Sequence, residues 1–206
     1  MGRTSDAREK IIAAAESLIE VRGYSALGTA EICEAAGVPK GSFYHFFGSK
    51  EVLALAVIDK HWATQEREWN RVLQSETTPL ERLRQLFEET EADQRVRQES
   101  CGTVSGCLFG NLTLELSNST ETIRHRLQEI FDTQIHMVDT VIREAVEHAE
   151  IAVGDTRRAA RSVVAQLEGL VMFAKLHNDP SRLEPLWENC LSLLGAQEPQ
   201  ERPDGG

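Results

Sequence analysis

Residues Thr29–Lys50 read TAEICEAAGVPKGSFYHFFGSK, and the punctuation of this stretch decides the fold. Thr29 stands where its hydroxyl can cap a short helix, and Ala30, Ile32, Ala35 and Ala36 recur at helical spacing to give that helix an apolar face. Gly37 supplies a tight turn, and Pro39 pre-sets the backbone for a second helix. That second helix is very short and carries Lys40, Gly41, Ser42, Tyr44 and His45 around Phe43, Phe46 and Phe47. Gly48 stops it, and Ser49 caps the helix that begins with Lys50 and Glu51. A short helix, a glycine turn and a short polar-aromatic helix form the pattern of a helix-turn-helix DNA reader. An ordinary helical hairpin has no use for a lysine and a tyrosine crowded onto so short a second helix. At least two of the three phenylalanines are better explained as core.

Working outward, the sequence predicts a helix from Asp6 to Val21, with Asp6 and Glu9 as a capping box and Gly23 as its stop. A long helix from Glu51 carries Val52, Leu53, Leu55, Ala56, Ile58, Trp62, Trp69 and Leu73. Thr78, Pro79 and Glu81 mark a strong helix start. Cys101–Ser117 is apolar but interrupted by Gly102, Gly106 and Gly110, which loosen a helix or admit a close approach to its backbone. A clear period from Ile123 to Val146 predicts a helix up to about Glu150. Asp155 or Thr156 opens the next, to about His177, apolar on more than one face. Pro180–Leu194 is the last. The expected fold is therefore all-α with about nine helices. Its parts are a helix-turn-helix domain over 1–49, a larger helical domain over 50–195 and a disordered polar tail over 196–206. Surplus apolar surface on the last two helices, about 155–178 and 180–195, predicts a two-fold interface between copies.

Composition narrows the classes. The net charge of −11 argues against non-specific coating of nucleic acid. Residues 1–50 hold six basic and six acidic side chains, so the whole excess lies in the remainder, sixteen against twenty-seven. A neutral reader on an acidic body orients the molecule near a phosphate backbone, the body repelled and the reader tolerated. No stretch reaches the roughly 18–20 apolar residues that span a bilayer, and MGRTSDAREK has no apolar signal core. A cytoplasmic protein with no membrane partner is expected. Cys33, Cys101, Cys107 and Cys190 have no paired spacing and are expected to be thiols. His125, His136, His148 and His177 have no ligand spacing, so neither metal nor cofactor is expected. Nothing resembles a nucleophile with its base and orienting group, so an enzyme is not expected either.

The RGY of Arg22–Tyr24, then TAEICEAAGV, then VPKGSFYHFFGSKEVL, together resemble the TetR/AcrR family of transcriptional regulators. The resemblance implies a recognition helix in the major groove of a palindromic double-stranded operator, and a C-terminal body that dimerises and binds an inducer. It implies contacts to bases or phosphates from Lys40, Gly41, Tyr44 and His45, and to phosphates from Thr29, Ser42 and Lys50. Hydroxyls, backbone N–H groups and lysines are the usual phosphate donors.

In the body, GTVSGCLFGNL (Gly102–Leu112) and FAKLHNDPSRLEPL (Phe173–Leu186) resemble the N-ethylmaleimide-responsive repressor subgroup, which senses electrophiles and reactive chlorine. That resemblance implies Cys107 as a reactive thiol and Lys175 as its partner; the sequence departs from the pattern at Asn111, where lysine stands in the subgroup's type member. Related sequences sharing the GCL-x-GNL-x-x-E pattern respond to small organic ligands by other means. From the residues alone, Cys107 reads first as a small buried hydrophobe, and Lys175 as a snorkelling surface lysine. Trp62, Trp69, Phe87, Phe109, Met137 and Phe173 either line a ligand cavity between helices or are plain core.

Overall fold

The computed structural model describes residues 2–196, with side chains from Asp6 onward. The expected tail lies, from residue 197, outside the described residues. Among them are nine α-helices and no strand. They are α1 (Gly2–Arg22), α2 (Thr29–Ala35), α3 (Gly41–Phe46), α4 (Lys50–Leu73), α5 (Pro79–Cys101), α6 (Leu108–Leu116), α7 (Glu121–Glu147), α8 (Thr156–His177) and α9 (Leu186–Leu194). A 3-10 turn at Pro180–Leu183 stands between the last two. None of these helices is long and apolar enough to cross a membrane.

The chain divides into two compact units. The first takes the chain up to Glu68 together with Arg97–Asp132, and the second takes Trp69–Val96 together with the chain from Thr133. In the first unit α1 packs on α2 and α3, burying Ile11, Ile12, Ala15 and Ile19 with Phe43 and Phe47. Side chains also tie α1 to other elements of its unit. Glu16 faces His61 Nδ1 at 2.8 Å and Lys60 Nζ at 3.3 Å, both on α4. Glu20 accepts from Arg97 of α5 at 2.7 Å. In the second unit Arg82, only 8% exposed, donates to the Leu73 carbonyl at the end of α4 and to Glu144 of α7. It thereby satisfies one of the orphan carbonyls of a helix terminus.

Several start signals act as the sequence reading expects. Ser49 Oγ accepts from Val52, Thr78 Oγ1 from Glu81, and the Asp155 carboxylate from Arg158. Two do not. α1 begins upstream of Asp6, which instead pairs with Lys10 one turn on, at 2.7 Å. The N-cap of α2 is Gly28, with Thr29 already inside the helix and no side-chain cap bond. The buried side chains of α2 are Ile32 and Cys33, while Ala30 and Ala35 face out.

Hydrogen bonds and the charges of His61 and Lys60 hold the Glu16 carboxyl below its ordinary value of 4.5, the bond to His61 being the largest cause. A carboxyl depressed in the folded state stabilises above its unfolded pKa and loses that contribution as pH falls through the folded one. Between pH ~5 and ~3 the wild-type unfolding midpoint should therefore fall more steeply than that of Glu16→Gln. Parallel midpoint-against-pH curves would show that the pairing contributes nothing.

Candidate nucleic-acid interface and effector site

The reader is built by its turn. Helix α2 ends in a Schellman arrangement, in which the Val38 N–H bonds the Cys33 carbonyl and the Gly37 N–H bonds that of Glu34, both at 3.0 Å. Gly37 sits at φ 64, a left-handed backbone that glycine adopts without Cβ strain. The buried Cys33 thiol points at the Lys40 carbonyl, 3.8 Å away, so one side chain of α2 also meets the start of α3. The Pro39 carbonyl then accepts from Ser42 at 2.8 Å and opens the first turn of α3.

Helix α3 sorts its side chains cleanly. Phe43 and Phe47 are each 1% exposed and lie with ring centres 5.9 Å apart. Tyr44 is 66% exposed, its ring edge-on to Phe43 at 5.2 Å. Lys40, Gly41 and His45 are exposed, and Ser42 and Thr29 are partly so. The exposed and partly exposed side chains of this segment thus include an ammonium, a phenol, an imidazole and hydroxyls, groups suited to phosphate oxygens and base edges. Lys50 is placed differently. Its Nζ lies 4.1 Å from the centre of the Tyr24 ring, a cation–π distance. Desolvation pulls its pKa down, and the nearby Glu115 carboxylate pulls the other way.

The sensing candidates divide between the units. Cys107, Asn111, Phe109 and Trp62 belong to the first, and Trp69, Phe87, Met137, Phe173 and Lys175 to the second. Cys107 is half-buried and is itself the N-cap of α6, its Sγ accepting from the Gly110 N–H at 3.4 Å. Asn111 Nδ2 donates to the Ser105 carbonyl at 3.1 Å and folds the preceding loop back onto the helix. Phe109 is fully buried, edge-on to both Trp62 and His61. In the second unit, Phe87 packs near Trp187 and Trp69 is buried. Met137 and Lys175 are partly exposed. Phe173 faces out at 46% exposure, beside Met172 and Leu176. An open groove of about 550 Å³ lies between α6 and α7, bordered by Thr113, Arg124, Leu127 and Phe131. The aromatics singled out from the sequence do not line it.

All four cysteines are free thiols. Burial pushes Cys190 up to about 12, which leaves it inert as a nucleophile at neutral pH. Cys33 is buried and Cys101 exposed.

Residues 11–57 match the description of bacterial regulatory proteins of the tetR family, and residues 79–189 match the tetracyclin repressor-like C-terminal domain. The chain belongs to the TetR family. It is 30% identical over 191 residues to the HTH-type transcriptional repressor NemR of Escherichia coli, with 91% of each chain covered. It is 32% identical to the transcriptional regulator AcuR of Cereibacter sphaeroides, covering 86% of this chain and 80% of that one. The crystal structure of reduced E. coli NemR superimposes with a TM-score of 0.82 at 28% identity, covering 94% of this chain and all of the other. The chain is thus a DNA-binding transcriptional regulator of the TetR fold, with an N-terminal helix-turn-helix and a C-terminal helical domain.

Sequence reasoning missed Glu115, whose carboxylate accepts from backbone N–H groups of the turn before α2. Its visible signal was its place as the acid that ends the GCL-x-GNL-x-x-E pattern.

The sorting of α3 separates two kinds of variant. Phe43→Ala should lower stability by ~3–5 kcal/mol. Tyr44→Ala should leave the melting temperature nearly unchanged and weaken operator binding about tenfold, the loss expected for a charge-assisted hydrogen bond. Thermal melts with gel shifts check both; equal operator retention by Tyr44→Ala would remove Tyr44 from the interface.

Proposed function

We propose that this TetR-family regulator is a homodimeric repressor that binds a palindromic operator and is released by a small-molecule inducer or by electrophile modification of Cys107. The observation that carries the dimeric part is the outer face of α8. Ala165, Met172, Phe173 and Leu176 are exposed there in helical register, with Leu193 exposed on α9. A contiguous apolar face of this kind on a TetR-family C-terminal domain is suited to a second copy. Its two-fold axis would pair two readers on the inverted halves of one operator.

The sensing part is supported by the resemblance to NemR and by the position of Cys107. A helix N-terminus favours a thiolate over a thiol, and Cys107 already accepts a backbone hydrogen bond there. Addition of that thiolate to a maleimide or enone forms one C–S bond, and the enolate takes a proton from water. The added group enlarges the N-cap of α6 and cannot leave that helix start unchanged. Release then requires only that the modified chain favour a conformation that fits the operator less well. A non-covalent ligand acting with Cys107 as a structural cap is the second reading, supported by the open groove beside Arg124.

Native mass spectrometry of the operator complex tests both halves. Two chains per duplex are expected, and one chain per duplex would contradict the dimer. One equivalent of N-ethylmaleimide should release the duplex and label the Cys107 peptide before that of Cys101, Cys33 or Cys190, while Cys107→Ser stays bound. Release of Cys107→Ser, or labelling only at another thiol, would refute covalent sensing through Cys107.

A further inference from the structure

One acidic side chain of α6 holds the turn that leads into the helix-turn-helix. Glu115 sends one carboxylate oxygen to the Tyr24 N–H at 2.9 Å and the other to the Ser25 N–H. These two amides form the turn by which the chain leaves α1 and enters α2. Lying outside both helices, they have no intrahelical carbonyl to bond and take an acceptor from elsewhere in the chain. The Tyr24 ring lies under Lys50 Nζ, and Lys50 is the first residue after the reader. Carboxylate, ring and ammonium therefore gather the entry to α2 and the exit from α3 at one place.

The surroundings fit a carboxylate there. Gly23 has φ 78, and a Cβ at that position would lie 3.3 Å from Glu115 Oε2, so the turn leaves room for the incoming acid. Desolvation pushes the Glu115 carboxyl up, but hydrogen bonds from Ser25 and Tyr24 and the charge of Lys50 outweigh it and hold the group below its ordinary value. The acid is thus ionised where it accepts. Glu115 is one residue from the end of α6, so its bonds link that helix end to the turn before α2.

We infer that Glu115 is a positioning residue for operator binding: it touches no DNA but fixes the turn before α2, and so fixes the angle at which Tyr44 and Lys40 are presented. The inference rests on the reader binding DNA, as the family does, and not on which effector releases it. It makes a prediction opposite in sign to simple electrostatics. Removing a negative charge from a DNA-binding protein should tighten binding, because phosphates then meet less repulsion. Removing a positioning carboxylate should weaken binding, because fewer molecules hold the competent geometry and the apparent dissociation constant rises by that fraction.

The test compares wild type and Glu115→Gln on a duplex that the wild type has itself selected from a random-sequence pool. Glu115→Gln should bind about fivefold or more weakly. The slope of log affinity against log salt should not change, since no phosphate contact is lost. Its thermal midpoint should stay close to wild type. Equal or tighter binding by the variant, or weaker binding with a reduced salt slope, would overturn the inference. Failure of the wild type to select any duplex would instead sink the DNA-binding reading itself. Should Glu115→Gln fail to fold, hydrogen exchange on the wild type decides. The Tyr24 and Ser25 amides should be protected although they lie in a turn, and rapid exchange at both would overturn the inference.

Discussion

Helix α3 has six residues, far fewer than an isolated helix needs to persist in water. Its order depends on burial of Phe43 and Phe47, each worth roughly 1.5–3 kcal/mol of transfer free energy. Burying Phe43 carries Tyr44, the next residue and about 100° round the helix, to the outside, while Phe47 enters the core from extended backbone just past the helix end. The same constraint explains why α1 must lie against α3. Two short helices cannot enclose a core, and α1 supplies Ile11, Ile12, Ala15 and Ile19 to complete it.

A second layer of order comes from charge. Glu16 with His61 and Lys60, Glu20 with Arg97, and Glu115 with the Tyr24 and Ser25 amides each join the reader helices or their turn to another element of the same unit. Single exposed ion pairs contribute little, but these are partly buried, and the Glu115 bonds end on backbone groups that cannot move without the chain. Orientation, more than raw stability, is what such contacts set. That matters for a DNA reader, whose contacts must meet phosphates and base edges in register.

How much of this was legible in the sequence depended on the range of the interaction. The helix-turn-helix was legible because its signals are local: Gly37 at the turn, Ser49 as cap, and phenylalanines spaced to face inward. The Thr29 and Asp6 caps failed for an equally local reason, since a helix can begin a residue or a turn earlier than its first good cap. Phe173 belongs to an apolar run that predicts burial, yet it faces out, because periodicity reports a face and not what covers it. Glu115 was illegible as a partner of Tyr24 and Ser25, because some ninety residues separate them and nothing in the pattern of α6 announces the pairing. The role of Cys107 as the N-cap of α6 was hidden for a related reason. Cysteine is not among the residues by which a cap is recognised.

Two copies of this reader, related by a two-fold axis, are proposed to recognise one DNA site. Sequencing the duplexes that the purified wild-type protein retains from a random-sequence pool addresses it most directly. Enrichment of an inverted repeat, with half-site centres set about one helical turn or a multiple of it apart, is the predicted result. Enrichment of a single half-site or a direct repeat, or no enrichment at all, would contradict the account.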